Sequence, residues 1–86
     1  MDLIELGARI KRARKSKGWS QTRLAQAAGV SRARLEALEN ARIAEIGFKP
    51  LLRILQALGL DLRITEFNRG RPTLEDLTAE EAGENA

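Results

Sequence analysis

Apolar residues recur at helical spacing in four separate stretches of the chain. The apolar positions of the first stretch are Leu3, Leu6, Ile10 and Ala13. Asp2 and Glu5 are spaced like a capping box at its start, and Gly18 is placed to end it. The pattern therefore predicts a first helix over residues 2–17.

Two shorter helical stretches follow, and a glycine separates them. Their inner faces are Leu24, Ala25 and Ala28 in the first and Leu35 and Leu38 in the second. Ser20 and Ser31 are placed as N-caps, and the second helix is expected to run to about Asn40. Gly29 can adopt the left-handed conformation that a sharp reversal requires. Two short helices joined by a tight turn containing glycine form a helix-turn-helix unit.

The apolar residues of the fourth stretch recur at helical spacing, whereas those of the segment after it recur at every second position. Residues 48–58 are apolar around much of a helix, after a loop over residues 41–47. Beyond Gly59, apolar and polar residues alternate, which predicts a single short strand. A lone strand needs a partner for its backbone, and the same strand of a second copy is the simplest partner. The residues expected to form this dimer contact are Leu60, Leu62 and Ile64.

The composition disfavours several classes of function, and the distribution of charge favours an anionic partner. The chain has neither cysteine nor histidine, so disulfides, the usual zinc ligands and the commonest catalytic bases are missing, and we expect no metal, no cofactor and no enzymatic activity. Residues 1–67 contain 13 Lys or Arg and 7 Asp or Glu, a balance of +6, whereas residues 68–86 contain 2 and 5, a balance of −3. The sequence predicts a basic DNA-binding and dimerisation domain over residues 1–67 and an acidic, flexible tail over residues 68–86.

Long apolar runs are missing from the sequence. No continuous apolar stretch has the length of a secretory leader or a membrane span. The expected location is the cytoplasm, on the nucleoid when DNA is bound. A membrane-surface role for the first helix is disfavoured because the core needs its apolar face.

A family resemblance lies in residues 19–31, which read Trp-Ser-Gln-Thr-Arg-Leu-Ala-Gln-Ala-Ala-Gly-Val-Ser, followed by Leu35 and by Leu38-Glu39-Asn40. This run resembles the helix-turn-helix of the phage-repressor-like (Cro/CI, XRE) superfamily. The resemblance implies an all-α, lambda-repressor-like bundle of four to five helices that binds double-stranded DNA. It also implies that Arg14 forms a buried or half-buried pair with Glu39.

Residues 48–64 resemble the fourth helix and dimer-forming strand of HipB-like antitoxins. Such proteins pair with HipA-like kinase toxins, and the resemblance implies a short C-terminal strand that pairs across a homodimer. The predicted function is a sequence-specific transcriptional repressor of a palindromic operator that also acts as the antitoxin of its operon. The alternative is a stand-alone regulator of the XRE type. A kinase-like gene beside this one, and co-purification of its product, would favour the antitoxin.

Base contacts are expected from the leading turns of the third helix, because a recognition helix presents these residues to the major groove. The candidate base-contacting residues are Ser31, Arg32, Ala33 and Glu36. Arg32 can donate two hydrogen bonds to guanine, Ala33 can contact a thymine methyl group, and Glu36 can accept from cytosine. Ser31 and Ala33 could instead only cap and space the helix, and Glu36 could pair with Arg32 four residues earlier.

Phosphate contacts are expected around the same helices. The candidates are Gln21, Arg34, Asn40 and Arg42, together with the free N–H groups at the start of the second helix. A solvated face that adds a nonspecific field is the interpretation of four other basic residues, Lys11, Arg12, Lys15 and Lys17. Trp19 is interpreted as a packing anchor, because readers of duplex DNA do not need exposed aromatic residues.

Overall fold

The structure, a computed structural model, describes residues 1–67. These residues form four α-helices and the segments that connect them. The helices are α1 (Leu3–Ser16), α2 (Gln21–Ala28), α3 (Arg32–Glu39) and α4 (Phe48–Ala57). These bounds confirm the all-α prediction, and they lie within a residue or two of those that the apolar spacing predicts. The predicted acidic tail over residues 68–86 lies outside the described residues.

Side-chain caps fix where three of the helices begin. Asp2 accepts a hydrogen bond from the Glu5 N–H at 2.8 Å, and Ser20 accepts one from Arg23 at 3.0 Å. Ser31 accepts one from the Arg34 N–H at 3.1 Å. Each cap satisfies a backbone donor that the helix itself leaves unpaired.

The reversal between α2 and α3 depends on Gly29, whose φ is +69°. A side chain at this φ would be strained, whereas glycine adopts it readily. The Val30 N–H donates to the Ala25 carbonyl at 3.0 Å and closes the end of α2. This turn sets the direction of α3 relative to α2.

The core lies where α2 packs against α3 and α4, and α1 packs against α3. Its buried hydrophobic residues are Ile10, Leu24, Ala25, Ala28, Leu35, Leu38, Ile54, Leu55 and Leu58. Ile43 and Ile46, from the loop between α3 and α4, are partly buried against this core. Their burial explains why this loop is more apolar than loops usually are.

A side-chain hydrogen bond also links α4 to the end of α2. Arg53 Nε donates to the Ala28 carbonyl at 3.0 Å.

A strand was predicted after α4, and no strand is present in residues 1–67. The Leu60 N–H donates to the Leu55 carbonyl at 2.8 Å to complete the end of α4, and residues 60–67 then have no regular structure. The physical reason is that a strand needs a neighbouring strand, and one copy of the described chain supplies none. In the same residues, no helix is both long and apolar enough to cross a membrane.

Candidate nucleic-acid interface

The first turn of α3 presents side chains to solvent on one side and to the core on the other. Arg32, Ala33 and Arg34 are exposed, whereas Leu35 and Leu38 are buried. Within residues 1–67, neither Arg32 nor Arg34 forms an ion pair. The three candidates at the start of α3 are therefore accessible, as a reading helix requires. Ser31 is also exposed, with its hydroxyl capping the helix.

Glu36 pairs with residues of the turn after α3. Its carboxylate forms an ion pair with Arg42 and accepts from Asn40 Nδ2 at 3.1 Å. Asn40 Nδ2 also donates to the Glu36 carbonyl at 2.9 Å, and Asn40 Oδ1 accepts from Lys11 Nζ at 3.2 Å. The structure thus brings together three candidates, Glu36, Asn40 and Arg42, in one network, and Arg32 is not the main partner of Glu36.

The hydrogen bond from Arg42 is the largest cause that lowers the pKa of Glu36, while partial desolvation opposes it and Asn40 and Arg32 assist. A lowered pKa means that this carboxylate stabilises the fold above its unfolded pKa and ceases to do so as the pH falls through its folded pKa. At neutral pH Glu36 is therefore ionised, and it holds Arg42 through charge as well as through hydrogen bonding.

We expect Glu36→Gln to leave the preferred DNA sequence unchanged and to strengthen binding several-fold. The substitution removes a negative charge beside the phosphates and releases Arg42, so the slope of log affinity against log salt should become steeper by up to about 1. Titration of labelled duplex at several salt concentrations measures this slope. Glu45→Gln, in the loop before α4, makes the same charge change away from the network and should give a smaller effect. Lost preference for one base pair would instead show that Glu36 reads a base.

A buried network joins α1, α2 and α3 behind the reading surface. Arg14 Nε donates to Glu39 Oε2 at 2.7 Å, and Arg14 Nη2 donates to Glu39 Oε1 at 2.9 Å. Arg14 Nη1 donates to the Trp19 carbonyl at 2.7 Å, and Gln21 Nε2 donates to Glu39 Oε1 at 3.2 Å. The implied pair of Arg14 and Glu39 is confirmed. In the described residues, no buried side-chain polar atom lacks a partner.

Gln21 is the first residue of α2 and is partly buried. Because its amide bonds to Glu39, its side chain is oriented before any DNA arrives. This bond uses one of the two amide hydrogens, and the neighbouring Ser20 and Thr22 are exposed, so a phosphate contact at this helix start remains a prediction.

Two cations stack on the indole ring of Trp19, and the sequence reasoning missed them. The guanidinium of Arg23 lies 4.5 Å from the ring centroid, and Lys17 Nζ lies 5.5 Å from it. Trp19 itself is partly buried against the core, which confirms its predicted role as a packing anchor. The only signal in the sequence is that a basic residue stands two positions before the tryptophan and another four positions after it.

A capped helix with an accessible leading turn, joined through a glycine reversal to a helix that packs across it, defines a helix-turn-helix DNA-binding domain. The comparison with protein families agrees, since residues 10–64 match the family model described as Helix-turn-helix. The match covers 55 of the 86 residues, and the chain belongs to this family of XRE-type helix-turn-helix proteins. Such domains bind DNA, are found in transcriptional regulators and are typically not enzymes. No curated protein matches the sequence significantly.

Proposed function

We propose that the protein is a transcriptional repressor that binds a palindromic operator in double-stranded DNA as a homodimer. The observation that carries the proposal is the accessible first turn of α3, with Arg32, Ala33 and Arg34 exposed beside the Ser31 cap. Base edges in the major groove are read by residues at this position of a recognition helix. Arg32 is the proposed reader of guanine, and Ser31 and Ala33 are the proposed flanking contacts.

Phosphate contacts hold the domain in register on the duplex but carry no sequence information. We assign them to Gln21 at the start of α2 and to Arg34 on α3. Asn40 and Arg42 would contribute from the turn after α3, where Glu36 restrains them in the free protein. The basic balance of residues 1–67 supports an anionic partner of this kind.

The homodimer is supported by apolar side chains after α4 that the described chain leaves exposed, wholly or in part. Leu60 is 40% exposed, Leu62 is 43% exposed and Ile64 is 99% exposed. All three stand at alternate positions, so they would share one face if this segment became a strand. Pairing with the same segment of a second copy would satisfy the backbone and cover the apolar side chains together.

The experiment that tests the proposed function is selection of bound duplex from a random pool at a stated salt concentration. We expect an enriched sequence with two-fold symmetry, because a symmetric dimer reads two inverted half-sites. Enrichment of an asymmetric sequence would contradict the dimer, and failure to bind duplex at low salt would contradict the function itself.

We expect Arg32→Ala to relax sequence preference at one position of each half-site. Loss of a bidentate contact to guanine costs about 1 to 3 kcal/mol of discrimination, whereas folding should be unaffected because the side chain is exposed. Repeated selection with the variant measures the preference. Arg34→Ala is the matched control, and it should weaken binding to all sequences alike. Unchanged selectivity in Arg32→Ala would remove this residue as a reader.

The more specific proposal is that this repressor is the antitoxin of a HipA-like kinase toxin and autoregulates its operon. Its support is the resemblance of residues 48–64 to the fourth helix and strand of HipB-like antitoxins. A stand-alone regulator is the alternative. Co-expression with a kinase encoded beside this gene separates the two, since only an antitoxin should co-purify with that kinase and suppress its toxicity.

A further inference from the structure

We propose that Arg23 and Lys17, stacked on the ring of Trp19, form a phosphate-binding patch that contacts the DNA backbone at the start of α2. This inference rests on the proposed function, and it adds two residues and their supporting platform to the interface. The three residues are called the Trp19 patch below.

The platform of the Trp19 patch is held firmly. The Trp19 N–H donates to the Arg14 carbonyl at 3.2 Å, and the Trp19 carbonyl accepts from Arg14 Nη1 at 2.7 Å. Arg14 is itself buried and paired with Glu39. Because Trp19 is bonded on both sides to a buried residue and its ring packs against the core, the position of the indole follows from the fold.

The two cations have no acidic partner among residues 1–67. The ion pairs in that range are Arg14 with Glu39 and Arg42 with Glu36, and neither includes Lys17 or Arg23. Both residues are exposed. Stacking on an aromatic face leaves the N–H donors of a guanidinium at its edge free to bind an oxygen anion.

Fold stability alone does not account for this arrangement. One cation over an indole is a favourable contact, but a second cation on the same ring repels the first. Arg23 also lies in the first turn of α2, which contains no acidic residue and where the helix dipole disfavours positive charge. Arg23, Lys17 and the positive end of the α2 dipole therefore lie close together. A phosphate of the DNA backbone would neutralise their combined positive potential.

The location fits a backbone contact and not a base contact. Arg23 lies in the first turn of α2, and in a helix-turn-helix domain this helix crosses the DNA backbone above the recognition helix. Its side chain leaves α2 on a different side from that of Gln21, because residues two apart on a helix do not face each other, so the two would contact different phosphates. A preorganised arginine loses less side-chain freedom on binding phosphate than a free one does. Trp19 is thus a positioning residue, and Arg23 and Lys17 are the contacts.

The test is the salt dependence of duplex binding by the full chain. Arg23→Gln and Lys17→Gln should each make the slope of log affinity against log salt shallower by about 1, and the double variant by about 2. The selected DNA sequence should stay the same. Arg9→Gln, on α1 about two turns before Lys17, is the matched control and should leave the slope unchanged. A double variant with the wild-type slope would overturn the patch.

Trp19 supplies a second readout because it is the only tryptophan in the chain. Its emission should change when duplex binds to the wild type, and the change should be lost in the double variant. Trp19→Phe should keep most of the slope and Trp19→Leu should lose part of it at equal folded fraction, which circular dichroism verifies. Absence of any binding by the wild type would overturn the proposed function, whereas binding with an unchanged slope in the double variant would overturn only this inference.

Discussion

Gly7→Ala should destabilise the domain by about 3 kcal/mol or more, although alanine is the better helix former. A Cβ atom built on Gly7 would lie 2.0 Å from the backbone oxygen of Leu38. Gly7 is buried within α1, so the added methyl group could be accommodated only if α1 and α3 moved apart. The obstacle is backbone, which cannot rotate aside as a flexible side chain can.

The expected loss in the free energy of unfolding is large compared with the total stability of such a domain. A small domain has about 5 kcal/mol to spare, and a loss of about 3 kcal/mol lowers the melting temperature by about 15 °C. Chemical denaturation with wild type and variant measures the difference. Ala8→Gly, at the next and exposed position of α1, is the control and should cost about 1 kcal/mol from helix propensity alone. A Gly7→Ala variant as stable as the wild type would show that α1 and α3 do not approach as described.

Features that depend on a few consecutive residues could be predicted from the sequence. Ser20 and Ser31 cap the helices that their positions predict, and Gly29 adopts the left-handed turn between them. The loop before α4 and the start of α4 at Phe48 also follow the predicted pattern. These features are local because caps and turns are satisfied by hydrogen bonds within one or two helical turns.

Contacts between distant residues could not be predicted in the same way. Nothing near Gly7 in the sequence indicates that the Leu38 carbonyl touches it, since the approach depends on how closely α1 and α3 pack. The choice of Arg42 over Arg32 as the partner of Glu36 depends on the path of the turn after α3. That turn includes Ala41 at a φ of +60°, an unusual conformation for alanine that its sequence does not signal.

The buried pair of Arg14 and Glu39 was predicted from the resemblance to phage-repressor-like proteins and not from the sequence pattern. Arg14 is buried on the inner side of α1, where an unpaired charge would be costly. Its partner is 25 positions away, and only similarity to known repressors indicated it before the structure confirmed it. Since Glu39 also accepts from Gln21, the same carboxylate links the packing of α1 to a candidate phosphate contact.

The double variant Leu62→Glu/Ile64→Glu should convert the proposed dimer to a monomer without unfolding the domain. Ile64 is 99% exposed and Leu62 is 43% exposed in the single chain, and neither belongs to the buried core that the four helices form. Burying each such side chain in a dimer contributes about 1.5 to 3 kcal/mol, and two carboxylates brought together across a two-fold axis would repel each other. Sedimentation at a range of protein concentrations measures the change, and circular dichroism verifies the fold.

Operator binding by this double variant should fall by a factor of about 100 or more, because two linked half-site contacts become two independent ones. Arg63→Gln/Thr65→Glu is the matched control, since it changes the charge by the same −2 at the alternate positions of the same segment. The control loses some affinity through charge, so the part of the loss that exceeds the control measures the dimer contact. If the Leu62 and Ile64 variant remained a dimer, the two-fold contact would have to lie elsewhere, and the exposed Phe48 at the start of α4 would be the next surface to substitute.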